Sequence, residues 1–69
     1  MVTIYGKDSC PYTRAARDEY EAQGDVTYVN VRKDPGGLQE MLVHSRGRRV
    51  VPVIVEADGH VTIGFDGGT

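Results

Sequence analysis

Short apolar runs alternate with stretches of helical periodicity along this chain, and the first part predicts a strand followed by a helix. Val2 to Tyr5 is β-branched and aromatic, which favours a strand. A helix is predicted from about Pro11 to Gln23, because proline needs no amide donor in a first helical turn. Gly24 is a suitable residue to end this helix. One face of the segment repeats at i+4 with Tyr12, Ala16 and Tyr20.

The middle of the chain predicts a second strand and a second helix. Val26 to Val31 is nearly alternating, as in a half-buried strand. Asp34 and Pro35 then suit the N-cap and the first position of a helix. Gly47 is predicted to end this helix. The i, i+3, i+4 and i+7 positions of its amphipathic face are Leu38, Met41, Leu42 and Ser45.

The last third predicts a hairpin and completes the fold class. The run from Val50 to Val55 is continuously apolar, as expected of a strand covered on both faces. Asp58 and Gly59 form a strong hairpin signal, so His60 to Ile63 is predicted to be the returning strand. Strand-helix-strand units favour parallel pairing, and the hairpin adds an antiparallel strand. The order β-α-β-α-β-β therefore predicts one α/β domain over residues 1–69, with helices on the faces of a mixed four-stranded sheet.

Composition excludes several classes of protein. The net charge of −2 does not suit nucleic-acid binding, which needs a concentrated basic surface. The chain lacks a signal-peptide pattern and any apolar run near the ~20 residues that cross a bilayer, so we predict a soluble protein with no membrane partner. The single cysteine excludes an internal disulfide and suits a reducing compartment, which predicts a cytoplasmic location. His44 and His60 lack the partner spacing of a metal site.

Cys10 carries the candidate chemistry. It stands between a loop and the first predicted helix, where unpaired backbone N–H groups and the helix dipole favour thiolate over thiol. Lys7 can add a positive charge nearby. The thiolate is the nucleophile of thiol–disulfide exchange, and an exposed turn is expected to give it access. The alternative from position alone is a small buried apolar residue, as many free cysteines are.

Three segments of the sequence form a pattern that includes Cys10. They are Val2 to Tyr5 with Lys7 and Cys10-Pro11-Tyr12-Thr13, then Val50-Val51-Pro52, and finally Gly64-Phe65-Asp66. In this order and spacing they resemble the glutaredoxin family, a branch of the thioredoxin-like fold. The resemblance covers essentially the whole chain. It implies a glutathione-dependent thiol–disulfide oxidoreductase, with Cys10 as the catalytic residue and glutathione as the co-substrate.

The resemblance also implies a glutathione contact for each of the later segments. It predicts a cis Val51–Pro52 bond and places the Val51 backbone beside the cysteinyl backbone of glutathione, like an added strand. An ordinary strand entry is the alternative for this proline. The Gly64-Phe65-Asp66 segment is similar to the loop that holds the γ-glutamyl end through backbone N–H groups and the Asp66 carboxylate. A plain turn is the alternative there.

A cation is needed for the glycine carboxylate of glutathione. Lys7, Arg48 or Arg49 can supply it, and we predict Lys7 and Arg49. A solvated basic loop that also contains Arg46 is the alternative. Tyr12 is predicted to line the groove beside Cys10, to pack against the fold, or both.

The chain departs from the family pattern in two places. Thr13 stands where many glutaredoxins have a second cysteine, which leaves a monothiol route that reduces glutathionylated proteins or small disulfides through Cys10. Many glutaredoxins also continue into a further helix after the Gly-Asp loop, and this C-terminal helix is apparently missing. An apolar patch left uncovered would favour a homodimer.

Two alternative functions belong to other classes. Cys10 and glutathione from two subunits can hold a [2Fe–2S] cluster. Relatives of that kind usually carry Gly-Phe-Ser after the cysteine, and the bulky Pro11-Tyr12 pair disfavours this alternative. The other alternative is a thioredoxin-like binding module without turnover, in which the thiol of Cys10 keeps an ordinary pKa.

Overall fold

The sheet contains both parallel and antiparallel strand pairs. The computed structural model describes all 69 residues. Central strand β1 (Val2–Gly6) pairs in parallel with β2 (Val26–Asn30). On its other side β1 pairs antiparallel with β3 (Val53–Val55), which pairs antiparallel with β4 (Val61–Ile63). The strand order β2-β1-β3-β4 confirms the predicted mixed four-stranded sheet.

Two helices connect these strands, and both begin where the sequence predicts. Helix α1 (Pro11–Gln23) has the predicted bounds. Helix α2 (Pro35–His44) is capped by Asp34, whose carboxylate accepts a hydrogen bond from the Gly37 amide at 3.0 Å. Neither helix is long and apolar enough to cross a bilayer.

The end of α2 differs from the prediction. The helix stops at His44, and Arg46, not Gly47, takes the first left-handed position, with a φ of 58°. The Gly47 amide then reaches back to the Leu42 carbonyl at 2.7 Å, which closes the last turn in a Schellman-type arrangement. An arginine in this conformation is strained relative to glycine, because its Cβ crowds the following carbonyl.

Strand β3 is shorter than predicted and runs in the opposite direction to β1. It begins at Val53, whereas the apolar run predicts a start at Val50. Pro52 has no N–H to donate to a sheet ladder, so regular pairing begins only after it. The parallel pairing favoured for strand-helix-strand units holds for β1 and β2 but not for β3. Strand β2 ends one residue earlier than predicted, and β4 begins one residue later.

The predicted hairpin between β3 and β4 is present with a longer loop than a two-residue turn. The Glu56 carbonyl accepts from the Gly59 amide at 2.9 Å, and the Glu56 amide donates to the His60 carbonyl at 2.9 Å. Gly59 has a φ of 93°, as in a three-residue loop that ends in a glycine bulge.

Apolar side chains bury both faces of the sheet. On one face α2 places Met41 against Tyr5 and Val53. On the other face Ala16 of α1 packs against Ile4 and Ile54, both fully buried. Burial of these side chains away from water is the main force that holds such a small domain together.

After β4 the chain turns back, and the Phe65 ring packs edge-on against Tyr20 of α1, with the ring centroids 6.3 Å apart. The large hydrophobic side chains that remain exposed are scattered: Met1, Tyr12 and Val43. The predicted homodimer stays a prediction.

Candidate active site

Cys10 occupies the N-cap of α1, at the sheet edge where β1 ends and β3 begins. Its backbone is extended, with φ of −84° and ψ of 118°, and Pro11 follows at the first helical position. The Cys10 amide donates to the Lys7 carbonyl at 3.2 Å, which closes the loop after β1. The Cys10 carbonyl accepts from the Arg14 amide at 3.1 Å, the first bond of the helix. The thiol therefore stands where the first amides of α1 have no helical partner.

The environment of Cys10 lowers the pKa of its thiol below the ordinary value of 9.0. Burial is the largest single influence and acts to raise this pKa. Against it act the hydroxyl and amide of Thr13, then the Tyr12 amide, all of which donate toward the sulfur. The positive charge of Lys7 adds to them. Together these donors outweigh the cost of burial, so the site favours the thiolate, as the helix N-terminus predicts.

Thr13 is the donor that sequence reasoning did not foresee. Its side chain is fully buried, and its hydroxyl has no partner with full hydrogen-bond geometry. The same hydroxyl lies close enough to Cys10 to lower the pKa of the thiol. We infer that it rotates to donate to the sulfur when the thiol ionises, because a buried hydroxyl without a partner is costly. A side chain on Gly6 would collide with Thr13, so glycine at this position allows the close packing.

The predicted exposure of Cys10 is wrong. Only 4% of the residue is accessible, and Cys10 is one of the residues that line a cavity. The cavity has a volume of about 300 Å³. Its walls include four of the residues predicted to bind glutathione: Lys7, Tyr12, Arg49 and Val51. A buried thiol in this setting differs from the buried apolar cysteine considered above, because hydrogen-bond donors approach its sulfur and it lines a cavity that also holds Lys7 and Arg49.

The predicted cis bond between Val51 and Pro52 is present. Pro52 is buried, and its carbonyl accepts from the Gly64 amide at 2.7 Å, which ties this segment to the end of β4. Neither the amide nor the carbonyl of Val51 makes a hydrogen bond within the protein. A free backbone donor and acceptor therefore stand on the same cavity as Cys10, available to an extended ligand.

The Gly64-Phe65-Asp66 segment lines a second cavity of about 380 Å³, next to the first. Phe65 and Gly68 exchange both backbone hydrogen bonds, at 2.8 and 2.9 Å, around a tight turn. Asp66 and Gly67 occupy the centre of this turn with φ of 53° and 80°, as in a type I′ turn. Their amides make no backbone hydrogen bond and remain free for a ligand.

Phe65 differs from its predicted role. Its ring packs on α1, and both of its backbone polar groups are engaged within the turn. It therefore supports the loop without offering a free polar group. Gly64 is required where it stands, because it has a φ of 85° and a Cβ there would lie 2.8 Å from the Gly68 carbonyl oxygen.

Two features join the cavities. Thr69 lines both of them. Tyr12 is 40% exposed and lies directly against Gly68, where any side chain would collide with its ring. Tyr12 thus both lines the Cys10 cavity and packs against the fold, which is one of the predicted alternatives.

Of the three candidate cations, Arg48 does not reach either cavity, whereas Lys7 and Arg49 both line the cavity of Cys10.

Comparison with known proteins places this arrangement in a family. A family model described as Glutaredoxin matches residues 2–61. The chain belongs to the glutaredoxin family. It is a thioredoxin-like redox protein, and its family membership indicates thiol oxidoreductase activity in general terms. A comparison with curated proteins finds no match.

Two solved structures share the glutaredoxin fold of this chain. The glutaredoxin grx-1 from Archaeoglobus fulgidus is 21% identical with a TM-score of 0.78, and the alignment covers 94% of this chain and 75% of that one. NrdH-redoxin from Escherichia coli is 26% identical with a TM-score of 0.75, and the alignment covers 93% and 82% of the two chains. That protein is described as glutaredoxin-like with a thioredoxin-like activity profile.

This glutaredoxin also holds a polar network beside Cys10 that the sequence did not reveal. The Tyr28 hydroxyl donates to the Asp8 carboxylate at 2.8 Å, and the Arg17 guanidinium lies 3.9 Å from the centre of the Tyr28 ring. Burial, and then the bond and charge of Asp8, raise the pKa of Tyr28 to about 12. The network fixes the loop before Cys10 against β2. Asp8 and Tyr28 lie 20 positions apart in the sequence, so no local pattern could indicate the network.

Proposed function

We propose that this glutaredoxin reduces glutathione mixed disulfides by a monothiol mechanism through Cys10. The observation that carries the proposal is the pairing of a thiol of lowered pKa with the free Val51 backbone on one cavity. The first supplies a nucleophile at lower pH than an ordinary cysteine, and the second suits an extended peptide such as glutathione. Thr13 in place of a second cysteine leaves no internal route to release a mixed disulfide.

The proposed reaction has two exchanges. In the first, the Cys10 thiolate attacks the glutathione sulfur of the mixed disulfide, and the substrate leaves as a thiolate that takes up a proton. In the second, the thiolate of a free glutathione attacks the glutathione sulfur now bound to Cys10. This forms oxidised glutathione and restores the Cys10 thiolate. The net result is that one free glutathione thiol is consumed, the substrate is released as a thiol, and the glutathione of the mixed disulfide leaves as part of oxidised glutathione.

The contacts proposed for glutathione divide between the two cavities. The Val51 amide and carbonyl would pair with the cysteinyl backbone, which brings the glutathione sulfur toward Cys10. Lys7 and Arg49 would meet the glycine carboxylate on the same cavity. The free amides of Asp66 and Gly67 would meet the γ-glutamyl carboxylate in the second cavity.

A second candidate function is supported by the likeness to NrdH-redoxin, which is described as thioredoxin-like in its activity profile. In this case Cys10 would exchange directly with protein disulfides, and a thiol other than glutathione would release the product. A single cysteine makes this route dependent on an external thiol, so the two candidates differ in which thiol sustains turnover.

The deciding experiment measures turnover of a small glutathione mixed disulfide with either glutathione or dithiothreitol as the releasing thiol. We expect turnover with glutathione, its complete loss in Cys10→Ser, and full retention in Ser9→Ala, a neighbouring change on the same cavity. Turnover sustained by the dithiol but not by glutathione would favour the second candidate. Unchanged turnover in Cys10→Ser would refute both.

A further inference from the structure

Beyond the proposed glutathione site, this protein has a second group of basic side chains around a cavity. A third cavity of about 520 Å³ lies between the end of α2 and strand β4. Four exposed basic side chains line it: His44, Arg46, Arg48 and His60. Val61 and Ile63 of β4 form a half-buried apolar part of its wall.

Neighbouring residues of the chain line the third cavity and the cavity of Cys10. Arg48 lines the third cavity, and the next residue, Arg49, lines the cavity of Cys10 together with Lys7. The segment after α2 therefore carries cations into both. We call the set Lys7, Arg46, Arg48 and Arg49, with His44 and His60, the basic band.

No aspartate or glutamate side chain lines either cavity. The chain has ten acidic residues and a net charge of −2, yet none of the ten lines either one. Four of its eight Lys and Arg residues do. None of these four is in an ion pair, since the salt bridge of the structure joins Arg17 and Glu21. Unpaired cations of one sign in adjoining concave surfaces focus a positive potential there.

We propose that the basic band binds an acidic segment of the protein whose disulfide reacts at Cys10. This inference rests on the proposed thiol–disulfide exchange and adds the class of protein substrate. Glutathione would occupy only the cavity of Cys10, so Arg46 and Arg48 are free for the carboxylates of a longer partner. Strand β4 is an edge of the sheet, and its outward backbone groups can pair with an extended segment lying along the third cavity.

An acidic peptide fits these features better than a nucleic acid. Nucleic-acid binding commonly neutralises about 6–10 phosphates, whereas the basic band has four permanent cations. The apolar wall formed by Val61 and Ile63 suits the side chains of a peptide, and the band leads directly to the reactive thiol.

The test compares two short peptides that carry the same glutathione mixed disulfide, one flanked by glutamates and the other by glutamines. At low ionic strength we expect kcat/KM to favour the acidic peptide about tenfold, and the preference to disappear as salt is raised. The double variant Arg46→Gln with Arg48→Gln should abolish the preference and leave turnover of the glutamine peptide unchanged. The matched control, Arg32→Gln with Lys33→Gln, removes the same charge from the β2–α2 loop and should keep the preference within about twofold.

Three outcomes would overturn the proposal. Equal rates for the two peptides would do so, as would an equal loss of preference in the control variant, which would indicate net charge alone. The third is anisotropy showing that a labelled oligonucleotide of the same charge binds at least as tightly as the acidic peptide. Failure of the proposed function is seen separately, as absent turnover of the small glutathione mixed disulfide. In that case binding of the acidic peptide by Cys10→Ser, measured by anisotropy with and without the Arg46 and Arg48 changes, decides the role of the band.

Discussion

Replacing Thr13 with valine tests the electrostatic basis of the site most directly. Valine keeps the shape of threonine but has no hydroxyl to donate to the Cys10 sulfur. We expect the pKa of the Cys10 thiol to rise in this variant, because a hydrogen bond that favours the thiolate is lost while burial, which disfavours it, remains. Thr13→Ser, which keeps the hydroxyl, is the matched control.

The size of the effect follows from the energy of the lost bond. A hydrogen bond to a charged group contributes about 1.5–3 kcal/mol, and about 1.4 kcal/mol corresponds to one pH unit. The pKa of Cys10 should therefore rise by about 1 to 2 pH units in Thr13→Val and change little in Thr13→Ser. The amides of Thr13 and Tyr12 still donate to the Cys10 sulfur in both variants, so the pKa should stay below that of a buried thiol that accepts no hydrogen bond.

The assay is the pH dependence of alkylation of Cys10, which is the chain's single cysteine and so needs no correction for other thiols. In the wild type the midpoint should lie below 9.0. A midpoint that does not move in Thr13→Val, or that moves equally in Thr13→Ser, would refute the reasoning. A wild-type midpoint at or above the ordinary value would instead support a binding module with a passive thiol.

The same pair of variants should separate stability from ionisation. At acid pH the thiol is protonated in both states, and Thr13→Val removes a buried hydroxyl that lacks a full partner, so we expect the free energy of unfolding to rise by about 1 kcal/mol. Thr13→Ser deletes a buried methyl group and should lower the free energy of unfolding by about 1 kcal/mol.

The pH dependence of stability has a definite sign. A thiol whose pKa is lowered by folding binds fewer protons in the folded state, so its stabilisation is fully present above the ordinary value of 9.0 and is lost as pH falls through the folded pKa. As pH rises through this window, the free energy of unfolding of the wild type should increase, and that of Thr13→Val should increase less. Denaturant titrations at several pH values measure both trends.

Three further changes have expected outcomes. Lys7→Gln should raise the pKa of Cys10 by less than Thr13→Val does, since the charge of Lys7 acts on the thiol more weakly than the Thr13 hydroxyl; alkylation measures the rise, and an unchanged pKa would contradict the contact. Arg46→Gly should raise the free energy of unfolding by about 0.5–1 kcal/mol, because glycine relieves the left-handed backbone; a loss in denaturant titration would contradict this. Asp34→Ala should lower the free energy of unfolding by about 1 kcal/mol through loss of the helix cap, whereas an unchanged midpoint of denaturant unfolding would show that the cap contributes nothing.

Local patterns predicted the helices more accurately than the strands. The start of α1 at Pro11 and the cap of α2 at Asp34 depend on a few neighbouring residues, so they could be read directly. The start of β3 could not, because Val50 and Val51 are as apolar as the residues that do pair. Which of them joins the sheet depends on the register against β1 and on the missing amide of Pro52, and both are features of the whole fold.

The candidate site was predictable where one residue type carries the chemistry and not where distant groups meet. The N-cap position of Cys10 could be read from the sequence, whereas Lys7, Arg48 and Arg49 were all candidate cations and only Lys7 and Arg49 line its cavity. Cys10 is buried in a cavity that Tyr12 and Thr69 also line, and Thr69 lies about 60 positions away along the chain. Burial of that kind leaves no local signature.

That burial changes how the reactivity of the thiol should be understood. An exposed cysteine of ordinary pKa would meet any disulfide in solution but would seldom be ionised near neutral pH. At Cys10 the directed donors of α1 overcome the desolvation that burial imposes, so the thiolate is favoured in a largely buried position. In the proposed function the substrate would be held by the free backbone of Val51 and the cations of Lys7 and Arg49, which line the same cavity. Nucleophilicity and selectivity would then have separate origins, since Thr13 acts on the sulfur and the cavity walls would act on the substrate.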